Sequence, residues 1–360
     1  MNMRVKSFIL TLLILTYSCV SAQKTVRVNA IKANDYGVVY TLPKTSFEVT
    51  LLIKKSVYKR GDFYPYAQRY LAINNPITEN RVVYSLENVE VANKGVADKE
   101  NSFMVAFRPK SVEPYVYLRE DGLILSINAE PEQVEKPEII IPDGVLASEN
   151  PRRYLSQETL MAGSTAKQAE LVARQIFDLR RSRSDILSGE AESMPPDGNA
   201  YSVVMSEIDR QEKALTELFA GSLETEYFTT TVTVVPEDNS INRQVVARFS
   251  EKLGVVDVDD LAGEPIYFSL INKTPKVEMQ LSEKDLQRLE DKLKEGIVYN
   301  IPGKADLSIE FKNRILKEME TDVVQFGSKD VLAKKMFDNN KQPVKVYFYP
   351  ELGAIKQLIQ

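Results

Sequence analysis

Near its beginning the chain reads Gly37-Val38-Val39-Tyr40-Thr41-Leu42-Pro43, and near its end Gly296-Ile297-Val298-Tyr299-Asn300-Ile301-Pro302 repeats this pattern almost unchanged. Each copy leads into a strand of alternating polarity, Phe47 to Ile53 in the first and Leu307 to Phe311 in the second. A short helix is expected after each of these strands. The repeated order of signals therefore points to two related β-rich segments.

The correspondence between the two copies resumes further along each segment. Tyr117 to Ile124 resembles Phe348 to Ile355, because each stretch reads as a strand, a tight turn with glycine and a second strand. Matching signals in the same order at both ends predict a duplicated ββαβ-type unit. The alternative is that strand, proline turn and strand recur by chance in any β-rich chain.

The pattern between the two copies changes to a helical period. Apolar residues at helical spacing predict one helix from Thr165 to Gly189 and a second from Val204 to Gly221, joined by the turn at Pro195 to Gly198. Two amphipathic helices with so short a connection predict an antiparallel helical hairpin. Shorter helices are expected at Tyr64 to Ile73, from Ser282 to Gly296, and at Lys329 to Phe337.

Together these signals predict an α+β protein in which the helical hairpin links two β-rich domains. The N-terminal β-rich domain would cover residues 23–150, the hairpin 151–224, and the C-terminal β-rich α+β domain 225–360. A chain of 360 residues with 43% hydrophobic residues is long enough for each domain to bury its own core.

Residues 1–22 have the three-part layout of a secretory signal peptide. Arg4 and Lys6 precede the apolar run Phe8 to Tyr17, which is too short to span a bilayer, and small residues follow as far as Ala22. Cleavage near Ala22 predicts an exported protein in the periplasm or associated with an outer membrane. The alternative is a lipoprotein anchored through Cys19, although the residues before it fit a lipidation signal poorly.

Charge and composition exclude several classes of function. Loss of Arg4 and Lys6 with the signal peptide would take the formal net charge from −5 to −7. An acidic surface repels phosphate backbones, so no nucleic-acid partner is expected. The chain has no His and one Cys, which excludes imidazole triads, disulfides within the chain and Cys/His zinc sites. No cofactor is expected.

One acidic group lies in the predicted turn of the helical hairpin. Two carboxylates about 5 to 10 Å apart can act as general acid and base in glycoside hydrolysis. The simpler interpretation is an acidic turn that balances the arginines at the end of the preceding helix. The acidic residues are Glu190, Glu192 and Asp197, and the arginines are Arg180, Arg181 and Arg183.

A second acidic group invites a calcium hypothesis. The spacing does not fit an EF-hand loop, because Ala262 stands where glycine is needed and Phe268 where the bidentate glutamate belongs. A capped turn that Gly263 ends is the simpler interpretation. The acidic residues are Asp257, Asp259, Asp260 and Glu264.

Four tyrosines and two arginines near the first predicted helix form a candidate ligand patch. Tyrosine rings and guanidinium groups can stack on a glycan or a peptide. The alternative is that the rings pack on a sheet with their hydroxyl groups at its rim. The patch consists of Tyr58, Tyr64, Tyr66, Tyr70, Arg60 and Arg69.

Several strings of the sequence are distinctive enough to suggest a family. They are Ser188 to Pro195, Asp209 to Leu215, Glu217 to Gly221 and Arg248 to Ser250, together with the two repeated stretches. Over nearly the whole chain after the signal peptide, these strings resemble a Bacteroidetes family of exported proteins known as domain of unknown function 4831. The resemblance implies a location in the cell envelope of a Bacteroidetes-like organism. It implies no reaction, ligand or catalytic residue.

These observations favour a non-catalytic binding or scaffold protein that contacts other envelope or outer-membrane proteins. Strand edges or the helical hairpin would provide the contact, since an exposed edge can accept a strand from a partner. The alternative is a glycan-binding protein or a carboxylate-based hydrolase. A deep pocket lined by two carboxylates would favour that alternative.

Overall fold

The computed structural model describes residues 30–32, 38–105, 115–132, 139–146, 149–195, 198–274, 296–337 and 343–359. Over these ranges the chain is β-rich, with several antiparallel sheets and few helices. The predicted signal peptide, Gly37, Asp197 and the helix expected from Ser282 lie outside the described residues.

The described ranges contain thirteen strands and four α-helices. The strands are β1 (Ala30–Lys32), β2 (Val38–Lys59), β3 (Arg81–Val105), β4 (Tyr115–Leu118), β5 (Ile124–Ile127), β6 (Ser222–Val234), β7 (Ile241–Ser250), β8 (Gly254–Val256), β9 (Glu264–Asn272), β10 (Gly296–Phe311), β11 (Arg314–Ala333), β12 (Lys345–Tyr349) and β13 (Ala354–Ile359). The helices are α1 (Ala67–Leu71), α2 (Gln157–Met161), α3 (Thr165–Ser188) and α4 (Gly198–Ala220).

Two of the sheets are built around long antiparallel strand pairs. One sheet has the order β3-β2-β6 and the other β11-β10-β9-β7-β8. Their inner faces share a core in which the rings of Phe47 and Phe268 lie 5.7 Å apart. Val49, Leu51 and Ile53 of β2 are buried with Phe47, because alternate residues of a strand face the same side.

The third sheet combines strands from both ends of the chain. Its order is β1-β4-β5-β12-β13, and β12 joins β5 through the pair Val346 and Ile127. The first residues of β2 and β10 pack against this sheet, so Tyr40 and Val298 belong to the same core as Val346. The Tyr40 hydroxyl donates to the Val298 carbonyl and accepts from its amide, at 3.1 and 2.7 Å. Burial raises the pKa of this phenol, and the bond that its oxygen accepts from the Val298 amide opposes the rise only in part.

The two long strand pairs are interrupted at corresponding places. Residues 41–43 of β2 face residues 97–102 of β3, so β3 has three extra residues at this bulge. Residues 301–303 of β10 face residues 323–328 of β11, which again gives three extra residues. The pairs therefore have the same irregularity at the position of the sequence repeat.

Each long strand is also tied to the turn of a short hairpin in the third sheet. The Thr41 amide donates to the Gly122 carbonyl at 2.9 Å, and the Asn300 amide donates to the Gly353 carbonyl at 3.0 Å. Both glycines have positive φ, 85° and 61°, a region that glycine reaches at little steric cost. The turns between β4 and β5 and between β12 and β13 thus make equivalent contacts.

A third core lies where the helices pack on the loop after β2. Arg180 of α3 donates to Glu212 of α4 at 2.6 Å, and Arg183 donates to Asp209 at 2.8 Å. Beneath these pairs the helices bury an apolar face against that loop. The buried residues include Phe63, Ala67, Val172, Ile176, Leu215 and Phe219.

The two long helices end where the sequence predicts. Gly189 and Gly221 follow α3 and α4 with φ of 77° and 82°, the left-handed geometry of a glycine cap. The helix expected at Tyr64 to Ile73 is shorter, a 3₁₀ turn (Tyr64–Tyr66) followed by α1. None of the described helices combines the length and the apolar character needed to cross a membrane.

Two predictions about short helices in the second repeat are wrong. The helix expected at Lys329 to Phe337 is mostly strand, because β11 continues as far as Ala333 by pairing with the first residues of β10. Only Lys334–Phe337 form a 3₁₀ turn. No helix follows β10 either, since Lys312 and Asn313, with φ of 49° and 59°, turn the chain directly into β11.

Candidate functional site

A cleft of about 300 Å³ opens where β2, α4 and β6 meet. Lys59 from the end of β2 and Glu224 from the start of β6 form one wall, and Leu218 of α4 forms the base. Glu149 and Arg152, from the connector before α2, close the opposite side. The cleft therefore joins segments that are distant in the sequence.

The base of the cleft is fixed by close backbone contacts at the end of α4. The amide of Phe63 donates to the Leu218 carbonyl at 2.7 Å, and the amide of Ile77 donates to the Ala220 carbonyl at 2.8 Å. These bonds satisfy carbonyls that a helix end leaves without partners. A Cβ at Gly61 would lie 2.3 Å from the Leu218 oxygen, so only glycine permits this approach.

The cleft carries charges of both signs, arranged in pairs. Lys59 pairs with Glu224, and Arg152 lies 3.5 Å from Asp62. The side chains of Arg152 and Asp62 are mostly exposed, so this pair contributes little to stability. A ligand that offers its own charges could exchange partners with this pair at small cost.

Glu149 is the most constrained carboxylate of the cleft. The hydroxyl of Tyr154 donates to it at 2.6 Å, and Arg153 and Arg210 lie 3.4 and 3.3 Å away. The pKa of Glu149 is lowered, first by the bond from Tyr154 and then by the two arginines, while desolvation opposes the shift. An ionised Glu149 suits binding of a cation and does not suit proton donation.

The cleft continues onto the outer edge of β6. The Thr225 amide donates to the Val145 carbonyl at 2.9 Å, and a Cβ at Gly144 would lie 2.1 Å from the Thr225 oxygen. Within the described ranges, Val145 is the one residue that pairs with this edge through its backbone. Because backbone groups alternate along a strand, Tyr227, Thr229 and Thr231 point their amides the same way as Thr225. As far as the described residues show, this part of β6 is thus an open edge beside the cleft.

One part of the predicted Tyr/Arg patch lies beside the cleft. Arg60 lines the cleft, and its guanidinium carbon lies 5.1 Å from the centre of the Tyr64 ring. Tyr58 instead stacks under Arg81 at 4.5 Å, on the outer face of β2 and β3. Both stacked rings are half-buried.

The other part of the patch packs against the helices. The rings of Tyr66 and Tyr70 lie 6.1 Å apart and border the helical core. The guanidinium carbon of Arg69 is 5.4 Å from the Tyr70 ring. The six residues are therefore divided between the side of the cleft, a strand face and the helical core.

The interpretation of the acidic turn between the long helices is wrong in one respect. Arg180 and Arg183 pair with Glu212 and Asp209 of α4, because that helix lies alongside them. Arg181 pairs within its own helix, with Asp178 at 3.8 Å. Glu190 and Glu192 are in the turn but are not the partners of these arginines.

The second acidic group serves the turn between β8 and β9. The Oδ1 atom of Asp257 accepts from the Val258 amide at 2.7 Å, and Oδ1 of Asp260 accepts from the Ala262 amide at 2.9 Å. Such bonds are typical of Asp in turns. In the part of the chain that the structure describes, no three or more acidic or Cys side chains are grouped to hold a metal ion.

The cleft has no signature in the sequence, because its walls are far apart along the chain. Lys59 and Glu224 are 165 residues apart, and no local pattern relates them. Glu149 and Arg152 lie at the predicted boundary between the N-terminal domain and the helical hairpin, where no pattern indicates a site. Gly61, between the charged residues Arg60 and Asp62, was the one local signal of a close backbone contact.

The fold is β-rich, and its two long strand pairs, β2–β3 and β10–β11, both contact the third sheet. The chain belongs to the family described as Domain of unknown function (DUF4831), whose model matches residues 36–356. This match confirms the family resemblance. Neither the curated proteins nor the solved structures include a match.

Proposed function

We propose that this protein is a non-catalytic binding or scaffold module of the cell envelope. The cleft and the adjacent edge of β6 would hold an extended segment of a partner protein. A single observation carries the proposal: an open strand edge leads directly into a cleft of paired charges. The edge offers backbone hydrogen bonds and the cleft offers side-chain specificity, which together describe strand addition.

The electrostatics of the cleft support binding over catalysis. A hydrolase that uses carboxylates needs one with a raised pKa to donate a proton. Among the described carboxylates, every pKa that clearly shifts is lowered. Glu149 of the cleft is one of them, so we place the hydrolase second. A glycan ligand remains the alternative at the Arg60 and Tyr64 stack.

The location that we propose rests on the sequence. The predicted signal peptide would direct export to the periplasm or to an outer membrane, with cleavage near Ala22 or lipidation at Cys19. A Bacteroidetes origin is proposed from the resemblance of the sequence to its family. Mass spectrometry of the mature amino terminus distinguishes cleavage near Ala22 from lipidation at Cys19. A diacylglyceryl group on Cys19 supports the lipoprotein, and a free amino terminus at Gln23 supports cleavage.

We also propose that the two long strand pairs descend from one duplicated unit. The matching bulges and the equivalent bonds from Thr41 and Asn300 to glycine turns support this origin. A short helical segment follows β2 but not β10, so the common unit would lack that helix. The ion pairs of Arg180 and Arg183 support an antiparallel arrangement of α3 and α4.

Photo-crosslinking from the open edge tests the binding function. A photoreactive amino acid at Thr229, whose amide points outward, should give a discrete adduct with one envelope protein in intact cells. The matched control carries the same group at Lys213, an exposed position on α4. No adduct at Thr229, or the same adduct at both positions, would contradict the proposal.

A proline variant tests whether strand addition is the mode of binding. Thr229→Pro removes one outward amide and leaves the pairing of β6 with β2 in place, because proline is tolerated on an edge. Binding of the crosslinked partner should fall by about tenfold, while the circular dichroism spectrum is unchanged. Undiminished binding would exclude the β6 edge as the contact.

A further inference from the structure

A groove of about 130 Å³ lies on the outer face of the third sheet, away from the cleft. Tyr347 and Tyr349 of β12 line it together with Leu125 of β5, and Pro131 and Pro350 close its sides. Val346 and Phe348 point to the opposite face, into the core, so the two tyrosines face outward by alternation. The groove is therefore built from aromatic rings and prolines on a rigid sheet.

Two tyrosines of this face lie in one row across the sheet, on either side of Ser126. Tyr117 of β4 and Tyr347 of β12 are both paired with Ser126 of β5, one on each side. Two strand spacings put their backbones about 9.6 Å apart. One turn of a polyproline II helix rises about 9.3 Å, so residues one turn apart in such a peptide match the spacing of this row.

A segment of the chain itself already lies on this face. Ser126 donates from its hydroxyl to the Ala129 carbonyl at 2.5 Å, and Ser126 is fully buried although its neighbours in the row are tyrosines. Pro131 then reaches the groove and is half-buried there. Glu132 pairs with Lys356, which also lies 6.0 Å from the Tyr349 ring. The occupant in cis is thus a non-helical, acidic segment that contains proline.

Part of the face stays uncovered by that segment. Tyr349 is 39% exposed, and Tyr115, two residues before Tyr117 on β4, is 53% exposed. Tyr349, with Lys356 beside it, provides a stacking surface and one positive charge at the groove. Tyr349 and the ammonium group of Lys356 are therefore accessible to a longer peptide of the same kind.

We infer that this groove is a second binding site, for an acidic proline-containing peptide in the polyproline II conformation, and that residues 129–132 compete for it in cis. Proline-rich segments bind aromatic grooves at low entropic cost, because their conformation is already formed. A carboxylate of the incoming peptide would replace Glu132 at Lys356. The site lies on a different sheet from the cleft and does not depend on the function proposed there.

Fluorescence anisotropy with a labelled peptide tests the site on the whole purified chain. The probe is a synthetic peptide of alternating Glu and Pro residues. Glu132→Gln releases Lys356 from its partner in cis, so the peptide should bind about two- to fivefold more tightly, the range expected for an exposed ion pair. Glu130→Gln is the matched control, an exposed residue of the same segment that does not line the groove. It should leave the affinity unchanged.

Two further variants reverse the effect. Lys356→Glu should weaken binding by about fivefold or more, and Tyr349→Ser should weaken it by about tenfold through loss of a stacking ring. Both residues are at the surface, and urea unfolding verifies that the variants are folded. Absence of binding to every form, an equal gain from Glu130→Gln, or displacement of the peptide by a neutral oligosaccharide would overturn the inference.

Discussion

The β2–β3 pair and the β10–β11 pair bend at the same position but are held there by different chemistry. In the first pair the bulge contains Asp98, a buried carboxylate that accepts from Asn101 and lies 3.3 Å from the Lys44 ammonium. In the second pair the bulge contains Gln325, whose neutral amide makes three hydrogen bonds. One bulge is stabilised by charge and the other by an amide.

The difference follows from what each bulge faces. Gln325 accepts from the Thr45 amide at 3.1 Å and donates to the Thr45 and Pro236 carbonyls at 2.8 and 3.0 Å, so it binds β11 to β2 and to the residues after β6. Asp98 makes its bonds within its own bulge and to a lysine of β2. The two pairs share the geometry of the backbone but join the sheets differently: Gln325 makes three bonds to β2 and to the residues after β6, whereas the β3 bulge accepts one bond at Asn101 from Lys329 of β11.

The largest expected effect is a difference in the loss of stability between alanine variants of the two turn glycines, Gly353 and Gly122. In Gly353→Ala the new methyl group would lie 2.6 Å from Pro43 Cδ, at a positive φ, whereas in Gly122→Ala it would lie 3.6 Å from the Thr41 hydroxyl. We expect a loss of about 3 kcal/mol for Gly353→Ala and about 1 kcal/mol for Gly122→Ala, since overpacking adds to backbone strain only in the first. Urea unfolding measures both, and equal losses would show that the turns are equivalent in packing as well as in bonding.

Removal of the bridging amide comes next in size. Gln325→Ala leaves the Thr45 amide and two carbonyls without their partner, which should cost about 2 to 3 kcal/mol in the free energy of unfolding. Gln325→Glu keeps an acceptor for Thr45 but loses both donors, so we expect an intermediate loss or more at neutral pH. A change below about 0.5 kcal/mol for Gln325→Ala would mean that the sheets are joined by apolar packing alone.

Removal of the hydroxyl group should destabilise the protein more at Tyr40 than at Tyr299. Tyr40→Phe removes a buried hydroxyl from both backbone groups of Val298 and should cost about 2 kcal/mol. Tyr299 is half-buried and its hydroxyl lies 3.4 Å from Asp330, so Tyr299→Phe should cost about 0.5 kcal/mol. Thermal unfolding of the two variants compares them directly, and a larger loss at Tyr299 would reverse the assignment.

The last comparison concerns how the stability provided by Asp98 depends on pH. Burial raises the pKa of Asp98, but the bonds from Asn101, from the Glu100 amide and from Lys44 outweigh it, so its pKa is lowered overall. Its contribution to stability is therefore present above the unfolded pKa of about 3.9 and is lost as the pH falls through the lower folded value. Asp98→Asn should cost about 1 kcal/mol at pH 7 and less below pH 4. A loss that does not change between pH 7 and pH 3 would exclude the ionised carboxylate as the cause.

Local patterns predicted much of the secondary structure. Alternation marked the buried stretch of β2 from Phe47 to Ile53, and helical spacing with glycine at Gly189 and Gly221 marked the ends of α3 and α4. Lys329 to Ala333 was misread as helix, because its pairing with the start of β10 outweighs its local preference. The similarity of the stretches at 37–43 and 296–302 was visible because it is local, whereas the contact of both long strands with one sheet is not local.

The candidate site was predicted only in part. Arg60 and Tyr64 were singled out from composition, and both lie at or beside the cleft. Glu149 and Glu224 were missed, because their importance depends on the path of the connector and on the end of α4. The open edge of β6 was also missed, since a Thr- and Val-rich run predicts a strand without showing which neighbours it has.

The third sheet brings together the two ends of the chain, so its assembly depends on contacts of long range. The buried face of Val38 to Leu42 is covered by β12, which leaves the ribosome about 300 residues later. Contacts of such long range slow folding, because a large loop must close before they form. A chain truncated before Lys345 would lack Val346 and Phe348 of this core, and the apolar surface left exposed would favour aggregation and binding of chaperones. The last strands therefore complete a core that begins with residues near the start of the chain.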